Sequence, residues 1–306
     1  MEQTIDPALR VESIRKRFNS IEAVKEISLA AYPGEVLGLL GPNGAGKTTA
    51  IRMIMGILQP DQGEILFRSN GRFGPLDRAR IGYLPEERGL YADAKVLDTL
   101  IYFAELKGIA PQEARRCALE WLDKLNLTDW ARHKISKLSK GMAQKVQFVA
   151  AILHKPDLIL FDEPFAGLDP VNQDLFQGFI RQLRDQGLAV LLSSHQMNLV
   201  EVLCDRIFLI NKGEQVLYGD LSEIKEAHGE NLVRLRFNGD RSFLQTSALI
   251  KDLTFSEDEV QFKLPHGVEP NQFLRTIPED LAIEEITIER PPLHDIFVST
   301  VERSNR

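Results

Sequence analysis

The 306-residue sequence predicts an α/β fold, a parallel sheet flanked by helices, followed by a small α+β unit. Three observations carry this reading. Val36-Leu37-Gly38-Leu39-Leu40 is a continuous apolar run, the pattern of a strand covered on both faces. It stops at the glycine-rich turn Gly41-Pro42-Asn43-Gly44-Ala45-Gly46-Lys47-Thr48-Thr49, and a helical pattern over 50–58 comes next. Two more buried runs, at 158–161 and 189–192, end in polar residues, and parallel sheets gather their ligands outside the carboxyl ends of such strands. Beyond Gly229 the character changes to short alternating strands at 233–237, 252–255, 260–264 and 283–288, with helices at 270–277 and 293–301. The expected division is therefore 1–228 and 229–306.

The glycine-rich turn has the full spacing of a phosphate-binding loop, Gly41 and Gly46 bracketing four residues before Lys47 and Thr48. Glycines let the backbone curl until several N–H groups point inward and form an anion nest. The helix that starts there adds partial positive charge. Lys47 is placed to reach the terminal phosphates and the Thr48 hydroxyl to hold Mg²⁺. A tight strand-to-helix turn explains two glycines, but not the lysine and hydroxyl after them. The reading is a nucleoside-triphosphate site.

Bulk composition narrows its class. Apolar residues make up 43% and charged residues 26% of the chain, as in soluble globular proteins with a sizeable core. A net charge of −7 argues against sequence-independent nucleic-acid binding, which needs a basic face. No nucleic-acid partner is expected. Cys117 and Cys204 are far apart and form neither a disulfide framework nor a metal-binding spacing, so a reducing cytosol is expected and each cysteine reads as a small buried apolar residue. No apolar run approaches the ~20 residues of a membrane span, and the first residues lack a signal-peptide pattern. Work at a membrane would need another chain to supply the span.

In chain order, strands are expected at 9–14 and 27–31, the second running into the turn Tyr32-Pro33-Gly34. Phe18 lies between them in the basic loop Arg15-Lys16-Arg17-Phe18-Asn19, where an aromatic either stacks on a base or faces the core. Strands at 64–67 and 80–84 come next. Residues 96–126 then turn helical, with Leu97, Leu100, Ile101 and Ala104 at helical spacing and a second helix starting at Pro111. This is a helical insertion without sustained heptads. Ser139 opens another helix, and Ser139 with Gly141 reads either as an ordinary N-cap or as a helix start built to receive an anion.

Leu158-Ile159-Leu160-Phe161-Asp162-Glu163-Pro164 places two carboxylates at the end of a central strand. Asp162 can hold Mg²⁺ through a water, and Glu163 can polarise an attacking water. His195 ends the strand at 189–192, which puts it on the same rim. Residues 207–217 read as a hairpin, and Asn211-Lys212-Gly213-Glu214 in its turn is a decoy for the guanine-reading Asn-Lys-x-Asp motif.

Together these residues resemble the nucleotide-binding subunit of an ATP-binding cassette (ABC) transporter, over residues 9 to about 220. Gly41 to Thr49 resembles Walker A. Leu138-Ser139-Lys140-Gly141-Met142 resembles the signature motif, with Lys140 and Met142 where the family usually has Gly and Gln. Residues 159–162 resemble Walker B, with Glu163 next in the slot of the catalytic glutamate. Gly167-Leu168-Asp169 looks like the D-loop, His195 like the switch histidine, and Phe18 falls in the slot of the adenine-stacking aromatic. Glu86 stands where the family has its Q-loop glutamine. A glutamate accepts from a magnesium-bound water, but when ionised it does not donate.

Glu86-Glu87-Arg88-Gly89-Leu90-Tyr91, the signature and Leu293-His294-Asp295-Ile296-Phe297 resemble one branch, the ATP-binding subunits of sodium-extrusion-type exporters, which carry a short C-terminal domain. The resemblance implies a P-loop ATPase fold: a RecA-like core, an antiparallel β subdomain, a helical subdomain at about 92–142 and a small α+β C-terminal domain. It implies ATP and Mg²⁺ as ligands, with Thr48, Asp162 and Glu86 around the metal. Hydrolysis would use Glu163, His195 and Lys47. Two subunits would pair head to tail, most simply as a homodimer, each ATP lying between one phosphate loop and the partner's Ser139, Lys140, Gly141, Met142 and Asp169. The sequence supplies a reason for pairing, because two phosphate-receptive helix starts within one fold do not readily reach the same ATP. Integral-membrane permease subunits would hold the chain in the cytoplasm, on the inner face of the cell membrane. The rival readings are a soluble ABC ATPase and a low-turnover regulatory clamp. The chromosome-organising kind of the first needs a long coiled coil that the insertion lacks.

Overall fold

The computed structural model describes residues 6–69, 71–87, 89–228, 230–256, 259–265 and 267–304. Arg88, named in the stretch Glu86 to Tyr91, and Gly229, at the expected boundary, lie outside them. The chain divides into two compact units, Met1–Tyr218 and Gly219–Arg306. The division falls one helix earlier than the composition suggests. The change of composition marks where the strands begin, whereas the helix just before them packs on the last helix of the chain and so belongs to the second unit.

The first unit runs β1 (Leu9–Phe18), β2 (Ile21–Ala31), β3 (Val36–Leu40), α1 (Lys47–Ile54), β4 (Gln62–Ser69), β5 (Arg72–Gly74), β6 (Ile81–Leu84), α2 (Val96–Glu105), α3 (Pro111–Lys124), α4 (Lys140–Ile152), β7 (Leu158–Asp162), α5 (Pro170–Asp185), β8 (Ala189–Ser193), α6 (Met197–Leu203), β9 (Arg206–Asn211) and β10 (Glu214–Asp220). The strands form one sheet in the order β5-β4-β1-β2-β10-β9-β3-β8-β7-β6. The half from β9 to β6 pairs in parallel, and β1, β2, β4 and β5 pair antiparallel. β3, β7 and β8 are buried along their whole length, which is why they read as unbroken apolar runs. In register, Leu37 lies opposite Leu191 and Leu191 opposite Leu160. Cys204 is buried here too, and a Cβ on Gly38 would come within 2.9 Å of its Sγ. Burial pushes the Cys204 thiol well above its ordinary value, so it acts as the small apolar residue expected.

The crossover between β6 and β7 carries the helical insertion. Val96, Leu97, Leu100 and Ala104 of α2 face Ala114, Ala118 and Leu122 of α3, and Val146 and Val149 of α4 close the same cluster. Pro111 is the first residue of α3, where its missing N–H costs nothing. Several elements differ from expectation: β1 and β2 pair as far as Phe18 and Ile21, so the expected basic loop around Phe18 is strand, and β5 and α6 are elements the sequence reading does not name. α1 starts at Lys47 and ends at Ile54, because Gly56 at φ 63° turns the chain out of the helix. α5 lies where the sequence reading above places no element.

The second unit contains α7 (Leu221–His228), β11 (Asn231–Asn238), α8 (Ser242–Thr246), β12 (Lys251–Phe255), β13 (Val260–Leu264), α9 (Pro270–Leu274), β14 (Ala282–Glu289) and α10 (Leu293–Ser304). Its four strands form an antiparallel sheet in the order β12-β13-β11-β14. Alternation along β11 and β13 sends Val233, Leu235, Val260, Phe262 and Leu264 into a core that Leu244 and Phe273 complete. α9 stops at Leu274, short of the expected 277, where the Thr276 hydroxyl donates back to the Phe273 carbonyl at 2.7 Å.

Candidate active site

The parallel order gathers the polar strand ends on one rim. β8 lies between β3, which leads into the phosphate loop, and β7, which ends in Asp162. The residues that leave β8 therefore sit beside both.

The loop itself is shaped by its glycines. Gly46, which caps α1, has φ 111°, and a Cβ there would stand 2.4 Å from the Ala23 carbonyl oxygen. Gly41 is hemmed in the same way, 2.3 Å from the Ile210 carbonyl. Only a residue without Cβ fits either place. Pro42, Asn43, Gly44 and Ala45 form the arch between them, with Asn43 and Gly44 exposed. Thr48 is exposed and Thr49 half-buried on the first turn of α1. The Lys47 ammonium bends back and donates to the Gly41 carbonyl at 2.6 Å and the Pro42 carbonyl at 3.3 Å. Burial lowers its pKa, and the Glu163, Asp162 and Glu86 carboxylates oppose that shift. The acids expected around the metal, Asp162 and Glu86, and the one expected at the attacking water, Glu163, thus all act electrostatically on the one lysine.

The acidic strand end is held by Ser193, a residue to which the sequence alone assigns no role. Ser193 is fully buried, and its hydroxyl donates to Asp162 Oδ1 at 2.6 Å. The same Oγ accepts from the Glu163 N–H at 3.1 Å, and the Ser193 carbonyl accepts from that N–H at 3.2 Å. Serine at the end of β8, directly opposite Asp162 in register, is the signal that could have found it. Burial and the neighbouring Asp162 carboxylate push the Tyr83 phenol up to about 12. Glu163 adopts φ 49°, a conformation that costs a non-glycine residue on the order of 1–3 kcal/mol. The turn points its carboxylate along the rim, where Oε2 lies 2.9 Å from His195 Nδ1. The glutamate side chain is only 10% exposed, whereas the imidazole is 58% exposed. A sheltered carboxylate holding an exposed imidazole is an arrangement for orienting protons.

Phe18 is 45% exposed at the tip of the β1–β2 hairpin, with Lys16 Nζ 5.8 Å from its ring centroid. Its ring stands out from the core, and the hairpin's Ala23 is the residue that abuts Gly46. Ser139 caps α4 as expected, its hydroxyl accepting from the Met142 N–H at 3.2 Å. Ser139 and Lys140 are exposed, and a Cβ on Gly141 would meet Asn172 of α5 at 3.7 Å. Asp169 caps α5, accepting from the Asn172 N–H at 3.0 Å, and this bond lowers its pKa. Gly141 of the signature therefore neighbours the start of α5. Asn211 and Lys212 lie at the β9–β10 turn, with Lys212 at φ 49° and Gly213 at φ 79°, as a tight hairpin requires. No helix among the described residues is long and apolar enough to cross a membrane.

A phosphate loop leaving a central strand, an acidic strand two places away and a histidine just after the strand between them define a P-loop ATPase cassette. Sequence and structure comparisons specify it. The family described as ABC transporter matches residues 24–166, and the ATP-binding protein DrrA1-3-like C-terminal domain matches 219–301. An AAA domain, described as a putative AbiEii toxin of a type IV toxin–antitoxin system, overlaps the first over 133–201. The chain is 39% identical to the uncharacterized ABC transporter ATP-binding protein YhaQ of Bacillus subtilis, over 96% of this chain and 98% of that one. It is 31% identical to the linearmycin resistance ATP-binding protein LnrL of the same organism, over 97% and 99%. Among solved structures, an ATP-binding subunit of an ABC transporter superposes with TM-score 0.66 at 30% identity, covering 71% of this chain and 92% of that one. The cassette MJ0796, in a dimeric post-hydrolysis state bound to ADP and Pi, superposes with TM-score 0.62 at 25% identity, covering 70% and 98%. The chain belongs to the ABC transporter ATP-binding subunits, and it is an ATPase.

Proposed function

We propose that this ATPase drives an exporter of the sodium-extrusion-like branch, working as a head-to-tail dimer beneath integral-membrane permease subunits. The observation that carries the catalytic part is the 2.9 Å contact between His195 Nδ1 and the sheltered Glu163 carboxylate, on the rim where Lys47 and Asp162 also lie. In this reading Glu163 holds the attacking water and takes its proton, and His195 orients Glu163 and the γ-phosphate. Lys47 leaves the Gly41 and Pro42 carbonyls for the phosphates. The backbone N–H groups of residues 41–49 cradle them, and Phe18 stacks on the base. Opening of the dimer after cleavage is the power stroke. The helical insertion and the loop from Glu86 to Tyr91, of which Arg88 lies outside the described residues, pass it to the permease.

The donor set suits Mg²⁺. Ser193 fixes the Asp162 carboxylate through Oδ1, which would face a metal-bound water, while Thr48 and Glu86 would add further oxygens. Among the described residues no three His, Cys, Asp or Glu side chains gather as a cage, and Mg²⁺ is ordinarily held by one or two carboxylates together with substrate phosphates. When bound it would supply positive charge against the phosphate oxygens. Likeness to the Nod factor export ATP-binding protein I of Burkholderia thailandensis, 36% identical over 68% of this chain and 69% of that one, supports export. The dimeric ADP-bound relative supports pairing across the nucleotide. The exposed Ser139 and Lys140 are open to the partner's phosphates. Steady-state ATP hydrolysis tests the core of the reading. Glu163→Gln is expected to retain ATP binding and slow turnover by roughly 10²–10⁴-fold, the span for a positioned general base. Turnover at the wild-type rate would remove Glu163 from the mechanism.

A further inference from the structure

Two buried glutamines on α4 remain unused by the reaction just described. Gln144 and Gln147 are 9% and 6% exposed. Three residues apart, they lie on one face of the helix. The Gln144 Nε2 donates to the carbonyl of Pro164, the residue after Glu163, at 2.5 Å. The Gln147 Nε2 donates to the carbonyl of Glu87, the residue after Glu86, at 3.2 Å. Both side chains line a polar cavity of about 40 Å³, together with Glu86, Glu163, Pro164 and Ala166. The second Gln144 atom, Oε1, is buried without a partner among the described residues. A buried amide oxygen is seldom left alone, and a polar cavity of this size has room for water.

We propose that Gln144 is a positioning residue for Glu163. Its amide nitrogen fixes the backbone just after the glutamate, and its oxygen accepts from a water in the cavity that Glu163 and Glu86 also border. The proposal rests on Glu163 as the catalytic base. It adds that α4 sets where that base stands. α4 begins at the Ser139 cap, so a partner's phosphate drawn to that cap acts on the same helix that holds the Pro164 and Glu87 carbonyls. Engagement of one ATP between subunits is thereby transmitted to the carboxylate that cleaves the other.

The test is a double-mutant cycle on the full chain, with ATP turnover, KM for ATP and thermal midpoint measured for each variant. Gln144→Met removes both polar atoms at similar volume. Gln144→Glu keeps an oxygen and loses the donor while ionised. Each is expected to lower kcat by roughly 5–30-fold, the rate equivalent of one or two hydrogen bonds, with KM for ATP unchanged within about twofold. In the Glu163→Gln background neither is expected to lower the residual rate further, because residues acting through one group are non-additive. An equal loss in both backgrounds, or a loss confined to KM, would overturn the proposal. So would a wild-type kcat for both Gln144 variants while Glu163→Gln is slow, and that result would leave the Glu163 reading standing. Fast turnover by Glu163→Gln alone would sink the Glu163 reading and this one with it. Should Gln144→Met fail to fold, Gln144→Glu carries the same comparison.

Discussion

Replacing Ser193 by alanine removes one hydroxyl and, with it, two bonds at the heart of the site. The bond to Asp162 Oδ1 is short, buried and charge-assisted. Hydrogen bonds to charged groups contribute ~1.5–3 kcal/mol, about twice a neutral one. The bond from the Glu163 N–H is less critical, because that N–H keeps the Ser193 carbonyl as an acceptor. The expected cost in stability is therefore ~1.5–3 kcal/mol. For a unit spanning Met1–Tyr218 this lowers the thermal midpoint by about 3–12 °C. Freed from Ser193, Asp162 loses its fixed orientation, so ATP turnover falls as well. Ser194→Ala is the comparison. It deletes only a turn bond from the Gln196 N–H, at 3.0 Å, worth about 1 kcal/mol. Calorimetry on the three proteins, with ATPase rates alongside, decides the matter. If Ser193→Ala melts within ~2 °C of wild type, a shift of less than ~1 kcal/mol at this size, and hydrolyses ATP normally, Asp162 is not held as described.

Two other perturbations rest on the same geometry. Lys47→Ala deletes the ammonium that the phosphate loop holds ready, and nucleotide titration is expected to show ATP affinity reduced by ~10–100-fold, the equivalent of about 1.5–3 kcal/mol; an unchanged affinity would contradict the phosphate-loop role. His154 is buried, with Nε2 at 3.2 Å from the Ile81 carbonyl, and burial depresses its pKa from 6.5 to about 4. The unfolded chain then binds a proton that the folded chain refuses, so this histidine's contribution is intact above pH 6.5 and is lost as pH falls towards 4. The loss amounts to roughly 3 kcal/mol, and urea titrations across that window should show a shallower pH slope for His154→Gln than for wild type. Equal slopes would mean the imidazole is protonated in the folded protein.

Much of the site is legible in the sequence because local chemistry dictates it. Gly41, Gly46, Lys47 and Thr48 are demanded by a loop that curls around phosphate, and steric crowding at both glycines leaves no other residue type. The apolar runs of β3, β7 and β8 declare a doubly covered sheet, and the sheet then brings their ends together. Ser193 is hidden from the sequence because its role exists only across the β7–β8 register. The α4 glutamines are hidden for a similar reason, since their partners are backbone carbonyls far away in sequence. α5 does leave signals. Asp169 caps it, Pro170 opens it, and Phe176, Ile180 and Leu183 are buried at helical spacing. They are easily overlooked beside Gly167-Leu168-Asp169, which reads first as a loop. The boundary between the units falls before α7 rather than after it, because an amphipathic helix carries no mark of which neighbour it packs against.

In the proposed mechanism, ATP holds two chains together until Glu163 cleaves it. Light scattering on the Glu163→Gln protein measures this directly, by tracking mass as ATP is added. Saturating ATP is expected to convert the 34.6 kDa chain to twice its mass, and Lys47→Ala in the same background to abolish the conversion. A mass that stays at the single-chain value with ATP bound would contradict the account.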